Sequence, residues 1–308
     1  MRTMTNHPFA ARVIAACCSL ALCCGLAACG DSNASDSKLD DVNQIPGLTA
    51  EGEPGEKPTI SFHAPMTVED GAYAILQKGN GDAVEIGDRV CAQYVAVNTQ
   101  DGSEMLSTWE DDTPDCSILV TQDNIDSSAL YELIARQRIN ATFAVGVNDS
   151  DASYIMALTL VSKSQDYTRA TGEPVADVPA DLPIVTLDED GKPSIDMNGQ
   201  GDVDELVVQP LIKGDGAVVE SDDTVRAHYT GWLLDGTQFD SSWDRGEPSD
   251  FALSDVIAGW QEGLAGQTVG SQVLLVVPPD KGYGSSGSGD TIPGDATLVF
   301  VVDILAAY

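Results

Sequence analysis

The chain offers few side chains for covalent chemistry. Three histidines in 308 residues give little support to a Ser-His-Asp hydrolase, and His228, which alternates with Tyr229 along an apolar run, reads as structural. Of seven cysteines, Cys17, Cys18, Cys23, Cys24 and Cys29 fall in the first 29 residues. Cys91 and Cys116 remain, with no nearby His or further Cys to complete a metal-ligand set, so neither a metal nor a cofactor is expected. The second half also holds aromatic residues, among them Tyr229, Phe239, Trp260, Tyr283 and Phe300, with Asp240 directly after Phe239. Singly, each ring reads as core, Asp240 as a solvated turn carboxylate, and Tyr283, between Gly282 and Gly284, as a loop anchor.

Charge narrows the partners. Asp and Glu total 49 against 15 Lys and Arg, a net charge of -34, which excludes nucleic acid as a natural ligand. Such a chain is also repelled by anionic lipid, so attachment to a membrane needs something other than surface charge. Residues 1–28 supply a candidate: Arg2 and Arg12, no acidic residue, and an apolar stretch from Val13 to Ala28 that is too short for an ordinary spanning helix read as a signal peptide. The segment ends Leu26-Ala27-Ala28-Cys29-Gly30, which resembles the lipobox of bacterial lipoproteins. That resemblance implies a diacylated Cys29 as the first mature residue and an extracytoplasmic chain held at the cell membrane; an ordinary cleaved signal near Ala28 is the alternative. Residues 29–56, rich in Asp, Ser, Gly and Glu, read as a solvated, acidic tether. Export permits a Cys91–Cys116 bridge, the other reading being two free thiols.

The rest is organised as a repeat. Lys57-Pro58-Thr59-Ile60 matches Lys192-Pro193-Ser194-Ile195, and Lys78-Gly79-Asn80-Gly81 matches Lys213-Gly214-Asp215-Gly216, both at an offset of 135. The match runs through Tyr94 and Tyr229, then slips by one before Asp101-Gly102 meets Asp235-Gly236 and Trp109 meets Trp243. Two copies follow, 57–164 and 184–308, joined by a Pro- and Asp-rich linker at 165–183. In the second copy, alternation from Thr224 to Leu233 predicts a strand, Asp235-Gly236 a hairpin turn, and Val256, Trp260 and Leu264 a short helix stopped at Gly266. The β-branched runs Val273–Val277 and Thr297–Leu305 predict central strands of an antiparallel sheet, so the class is α+β.

The second copy also carries a set of motifs in fixed order. They are Val225-Arg226-Ala227-His228-Tyr229-Thr230-Gly231, Asp235-Gly236-Thr237-Gln238-Phe239-Asp240-Ser241-Ser242, Val256-Ile257-Ala258-Gly259-Trp260, Pro278-Pro279-Asp280-Lys281-Gly282-Tyr283-Gly284, Ile292-Pro293 and Ala296-Thr297-Leu298-Val299-Phe300. Together they resemble the FKBP-type peptidyl-prolyl cis-trans isomerases over about residues 206–306. The resemblance implies two domains, each a twisted antiparallel sheet wrapped around a short helix. It implies that Asp240, Tyr283, Trp260 and Tyr229 serve catalysis, and that Phe239, Val256, Ile257, Ile292 and Phe300 hold the substrate proline. It further implies proline-containing polypeptides as partners and macrolides such as tacrolimus as inhibitors, with no cofactor. Two departures stand out: Ser249 where the family often has an aromatic wall residue, and Thr291 before Ile292 where many members have an apolar one.

In the first copy Tyr94 is kept, but Met105 and Leu106 stand where Phe239 and Asp240 stand in the second. Leu130 falls opposite Trp260, and no Tyr-Gly flap occurs between Val147 and Tyr154. Residues 57–164 therefore read as a degenerate FKBP-like domain without catalysis. Two functions follow for the whole: a foldase that isomerises prolyl bonds in exported chains at the outer face of the cytoplasmic membrane, or a non-catalytic chaperone or peptide-binding lipoprotein built on the same fold.

Overall fold

The computed structural model describes Leu39, residues 42–148 and residues 153–308. The signal segment, the lipobox-like motif and Cys29 lie outside the described residues. The chain divides into two compact units, the first ending at Gln165 and the second running from Asp166 to Tyr308.

In the first unit the long strands are β-branched and alternate between two buried faces. A hairpin, β1 (Thr49–Glu51) and β2 (Thr59–Ser61), precedes β3 (Tyr73–Gln77), β4 (Asp88–Asn98), β5 (Glu104–Ser107) and β6 (Asp115–Leu119). Two short helices, α1 (Gln122–Ser127) and α2 (Ala129–Ala135), lead to β7 (Thr142–Asn148) and β8 (Ser153–Gln165). Helix α1 starts at Thr121, whose Oγ1 accepts the Asn124 N–H at 3.1 Å. The sheet is antiparallel in the order β3-β7-β8-β4-β5, with β6 also paired to β4. Val90, Ala92 and Tyr94 of β4 pack with Leu133, Ile134 and Phe143 on the helix side. Val95 and Val97 face the other way, into a second cluster with Ile45, Leu48 and Ile60 of the hairpin region.

That second cluster corrects the expected tether. From Val42 onward the chain is folded: Ile45 and Leu48 are buried, the Ile45 N–H donates to Tyr73 O at 2.8 Å, and Thr49–Glu51 pairs with Thr59–Ser61. The polar composition of residues 42–56 hid two apolar side chains, Ile45 and Leu48, that cap the outer face of the sheet. Cys91 on β4 and Cys116 on β6 form a disulfide, their Cα atoms 4.0 Å apart.

The second unit repeats the plan. It comprises β9 (Glu173–Pro174), β10 (Ile184–Leu187), β11 (Pro193–Asp196), β12 (Val207–Lys213), β13 (Thr224–Leu233), β14 (Gln238–Ser241), α3 (Ser242–Arg245), β15 (Ser249–Ala252), α4 (Ala258–Leu264), β16 (Gln272–Val277) and β17 (Leu298–Ala307). The sheet order is β14-β13-β17-β16-β12-β9, with β15 also paired to β13. Tyr229, Phe300 and Leu275 point inward to α4, whereas Trp232, Leu274, Val276, Val299 and Val301 point outward, beneath Val185 and Ile195 of the β10–β11 hairpin. Helix α4 lies close on β16, because a Cβ at Gly259 would stand 2.5 Å from Val277 Cγ1 and one at Gly263 2.6 Å from Leu275 Cδ2.

The expected linker at 165–183 is also corrected, since most of it is stitched to this sheet. Tyr167 N–H donates to Leu305 O at 3.0 Å, β9 pairs with β12, and Val175 N–H donates to Leu211 O at 2.9 Å. Pro174 sits on this edge strand, where the missing N–H costs no ladder bond. At the centre of the contact is Asp303, which accepts from Ala170 N–H at 2.8 Å and from Gln272 Nε2 at 2.7 Å.

Burial pushes the Asp303 carboxyl up to about 6, against the lowering effect of those two hydrogen bonds and of nearby Arg169. A carboxyl whose pKa is raised on folding stabilises the fold while protonated. The stabilisation is complete below its unfolded value near 3.8 and is lost as pH rises to about 6. At about 1.4 kcal/mol per pKa unit the loss is on the order of 2–3 kcal/mol. Asp303→Asn retains the shape and, with the Gln272 amide turned, both hydrogen bonds. Urea unfolding across pH 4 to 8 is expected to find this variant more stable than the parent above pH 7 and without that component of the decline; lower stability at every pH would refute the assignment.

Candidate active site

Strand β13 places Tyr229 inward and, two residues on, Gly231 opposite Phe300 of β17. The missing side chain at Gly231 is required: a Cβ there would lie 2.6 Å from Phe239 Cζ and 2.9 Å from Phe300 Cε1. Phe239 of β14 thereby closes edge-on over Phe300, centroids 5.5 Å apart at 85°. Trp260, one turn into α4, meets Phe300 at 5.5 Å and Tyr229 at 5.3 Å, both nearly perpendicular. Val256 and Ile257 stand half-buried just before the helix, and Ile257 O accepts the Trp260 N–H at 2.9 Å. Ile292 is buried in the same cluster. The expected substrate residues are thus brought together as one apolar cup.

Its polar edge is a fixed carboxylate. Tyr229 donates its phenolic hydrogen to Asp240 Oδ2 in a short bond. Arg245 donates from Nη1 to Asp240 Oδ1 at 2.5 Å and from Nη2 to Tyr229 Oη at 3.0 Å, with its guanidinium carbon 5.6 Å from the Tyr229 ring centroid. Burial, and then the Asp240 carboxylate, push the Tyr229 phenol up to about 12, so it stays a neutral donor. Asp240 is consequently held by two donors on one side of the cup.

Two contributors were missed by sequence reasoning. Arg245 reaches Asp240 because Ser241 caps α3 and Gly246 ends it with φ 81°, folding five residues back on themselves. Phe251 packs edge-on against Tyr229 at 5.4 Å and Trp260 at 5.1 Å. An aromatic ring is therefore supplied two residues after Ser249 on the same strand, and Ser249 itself accepts from Arg245 Nη2 at 3.3 Å. Alternation along β15 was the available signal.

Tyr283 lies apart from the ring cluster, 40% exposed on the flap that joins β16 to β17. The flap is clipped by its own backbone: Asp295 N–H donates to Gly284 O at 2.9 Å, and Ser288 bridges Ile292. Thr291 is exposed, so its polarity does not enter the cup. His228, on the outer face, stacks on Trp243 at 4.0 Å with Nδ1 2.9 Å from Ser242 Oγ, a structural role as expected. Among the described residues no group of three or more His, Cys, Asp or Glu side chains is placed to hold a metal ion.

The first unit has the same framework without the cup. Tyr94 N–H donates to Thr108 Oγ1 at 2.9 Å, as Tyr229 N–H does to Ser242 Oγ at 2.8 Å. Ala96 pairs with Leu106 where Gly231 pairs with Asp240, and each pair is followed by the same register shift. Met105 and Leu106 thus replace Phe239 and Asp240, and Ala96 fills the space that Gly231 leaves for a ring. Met156, opposite Val145, stands where Phe300 stands opposite Leu275. The Tyr94 hydroxyl turns to Asp115 at 3.1 Å. Strands β7 and β8 stay paired to Asn148 and Ser153, with four residues between them in the sequence against twenty between β16 and β17.

The second unit is similar to known proteins. The family model for FKBP-type peptidyl-prolyl cis-trans isomerases matches residues 216–305. A probable FK506-binding protein of Corynebacterium glutamicum is 43% identical over 117 residues, covering 38% of this chain and 98% of that one. The FKBP-type 22 kDa peptidyl-prolyl cis-trans isomerase of Escherichia coli is 50% identical over 100 residues, covering 32% of this chain and 48% of that one. The crystal structure of FkpA from Escherichia coli aligns with 38% identity and a TM-score of 0.32, covering 40% of this chain and 51% of that one.

The contact at Gly231 is directly testable. Gly231→Ala forces a methyl group into Phe239 and Phe300, so it is expected to cost about 1–3 kcal/mol in chemical unfolding and to alter the near-ultraviolet circular dichroism of the ring cluster. The converse Ala96→Gly is expected to leave that cluster's signal unchanged. A Gly231→Ala protein with parental stability and spectrum would show that the rings do not close over this strand.

Proposed function

The chain belongs to the FKBP-type peptidyl-prolyl cis-trans isomerases, and we propose that its second unit speeds prolyl isomerisation in exported proteins at the outer face of the cytoplasmic membrane. Rotation about an X-Pro bond meets a barrier of roughly 18–20 kcal/mol because amide resonance must be broken. Resonance is weakest where the carbonyl oxygen is stripped of water. The cup of Tyr229, Phe239, Phe251, Trp260 and Phe300 supplies that dry setting for the proline ring, and Val256, Ile257 and Ile292 line its margin. Asp240 contributes a carboxylate that need not reorganise, since Tyr229 and Arg245 already hold it. Tyr283 on the flap offers a phenolic donor to the carbonyl before proline. No bond to the enzyme is made or broken. The observation that carries this reading is the fixed Asp240 beside a desolvated aromatic cup.

The placement outside the cytoplasm is supported by the signal-like residues 1–28, by Cys29 in its lipobox-like setting, and by the Cys91–Cys116 disulfide, which suits an oxidising compartment. Uncatalysed prolyl isomerisation takes tens of seconds or longer and is a common limit on folding, so a membrane-held isomerase would meet newly exported chains at their slow step. Macrolides such as tacrolimus would occupy the same cup, as the name of the Corynebacterium glutamicum relative indicates for that protein.

The deciding assay is cis-to-trans isomerisation of a Leu-Pro or Phe-Pro peptide by the full chain. Saturable catalysis is expected, with Asp240→Ala and Tyr283→Phe each lowering kcat/KM by roughly tenfold, a loss of about 1.4 kcal/mol of transition-state stabilisation. A folded chain with no activity above background would leave a peptide-binding lipoprotein. For the anchor, Cys29→Ser is expected to abolish labelling with palmitate and to release the protein from the membrane fraction; retention would point to another attachment.

A further inference from the structure

The margins of the cup carry charge of one sign. Residues 238–257 and 278–295, which frame it, contain eight carboxylates and two cations. Both cations are engaged: Arg245 with Asp240, and Lys281 with both oxygens of Glu262 at 2.6 Å. Asp244 pairs with Lys192, and Asp250 with Arg226 at 2.8 Å. Glu247, Asp255, Asp280, Asp290 and Asp295 are exposed and have no cation partner among the described residues.

Two of these five adjoin residues of the cup's margin in the chain. Asp255 ends the single 3-10 turn Leu253–Asp255, directly before Val256 and Ile257. Asp290 stands on the flap two residues before the buried Ile292, inside the loop closed by the Ser288–Ile292 bridge. With Val256, Ile257, Trp260 and Ile292 in one cluster, a polypeptide whose proline ring lay against Trp260 would bring its flanking residues toward these two carboxylates. The cup itself discriminates by shape and apolar burial and is blind to the charge of the flanks. Exposed charges within about one Debye length of a bound chain, roughly 10 Å at 0.1 M salt, do discriminate, by attraction of one sign and repulsion of the other.

We infer that Asp255 and Asp290 are specificity determinants that direct the isomerase to prolyl bonds flanked by lysine or arginine. The inference rests on the reading of the aromatic cup as the prolyl site. A bound cation on the substrate takes the place that no side chain of this unit fills, whereas an acidic flank meets uncompensated carboxylates on both margins.

The test uses the full chain and three peptides that share one Leu-Pro bond, with neutral, lysine or glutamate flanks. Catalysis of the neutral peptide reports on the cup alone, so absence of activity there would sink the prolyl-site reading and leave no flank to discuss. With that activity present, kcat/KM at about 20 mM salt is expected to be about fivefold or more higher for the lysine-flanked than for the glutamate-flanked peptide, and the ratio to fall toward one in about 0.5 M salt. Asp255→Asn with Asp290→Asn is expected to remove most of the ratio. The control, Glu189→Gln with Asp190→Asn, makes the same charge change on the β10–β11 turn, which belongs to the hairpin covering the other face of the sheet, and is expected to keep it. Equal rates for the two charged peptides at low salt would overturn the inference, as would equal loss of preference in both double variants, which would assign the effect to net charge alone.

Discussion

The antiparallel pair of β13 and β17 is the constraint on which the second unit depends, because both of its faces are buried. Register along this pair runs from Val225 opposite Ala307 to Leu233 opposite Leu298. One set of alternate residues, Tyr229 and Phe300 among them, makes the concave face that receives α4. The other set, Trp232, Val299 and Val301, makes the convex face that receives a hairpin. A slip of one residue would exchange the two sets, sending Tyr229 beneath the hairpin and Trp232 under the helix. Two cores therefore hold one register, and that register fixes the distance between Gly231, Phe300 and the carboxylate on β14.

The first unit shows which parts of this arrangement belong to the fold and which to the chemistry. The hydroxyl of Thr108 that receives the Tyr94 amide, the register shift between β4 and β5 and the buried strand tyrosine are all present there without an aromatic cup. The first unit differs at the cup by a methyl group at Ala96, a flexible Met105, an apolar Leu106, and only four residues of sequence between its last two strands. None of these changes breaks the ladder between β4 and β8, in which Ala96 itself pairs with Met156 and which runs from Asp88 to Asn98. The two units differ as well in the centre of their outer faces: a Thr142–Thr159 hydroxyl pair at 2.9 Å occupies the position that Gln272 and Asp303 take in the second. A neutral pair there binds no proton across the acidic range, and the charged one does.

Much of this was legible in the residues. The alternation at 224–233, the Asp-Gly turn and the period-four apolar positions at 256–264 each correspond to an element, since long strands buried on both faces and a short helix leave strong periodic traces. The joint order of the motifs singled out rings that the structure gathers into one cluster, and the positions of Met105 and Leu106 opposite β4. The hairpins at 49–61 and 184–196 were obscured because each strand is three or four residues long and carries Thr, Ser, Asp and Pro among its few apolar side chains. Phe251 was hidden by attention to Ser249, and Arg245 by its distance in sequence from Tyr229. The contact of Ala170 with Asp303 joins residues 133 apart through one backbone amide, and a backbone donor leaves no trace in residue type.

The stitching of residues 166–175 onto the sheet bears on where an autonomous catalytic fragment begins. The repeat suggests a cut at Ile184, where the hairpin starts. Such a cut would strip β9 from the outer edge of β12 and bare the Leu211 carbonyl that Val175 now satisfies. It would also take the Ala170 amide from a carboxylate buried at the middle of β17, leaving a solvent-starved anion with one donor fewer. The polypeptide between the repeats is thus a wall of the catalytic unit as much as a connection to it, and the smallest piece that keeps its interior chemistry whole opens at Asp166.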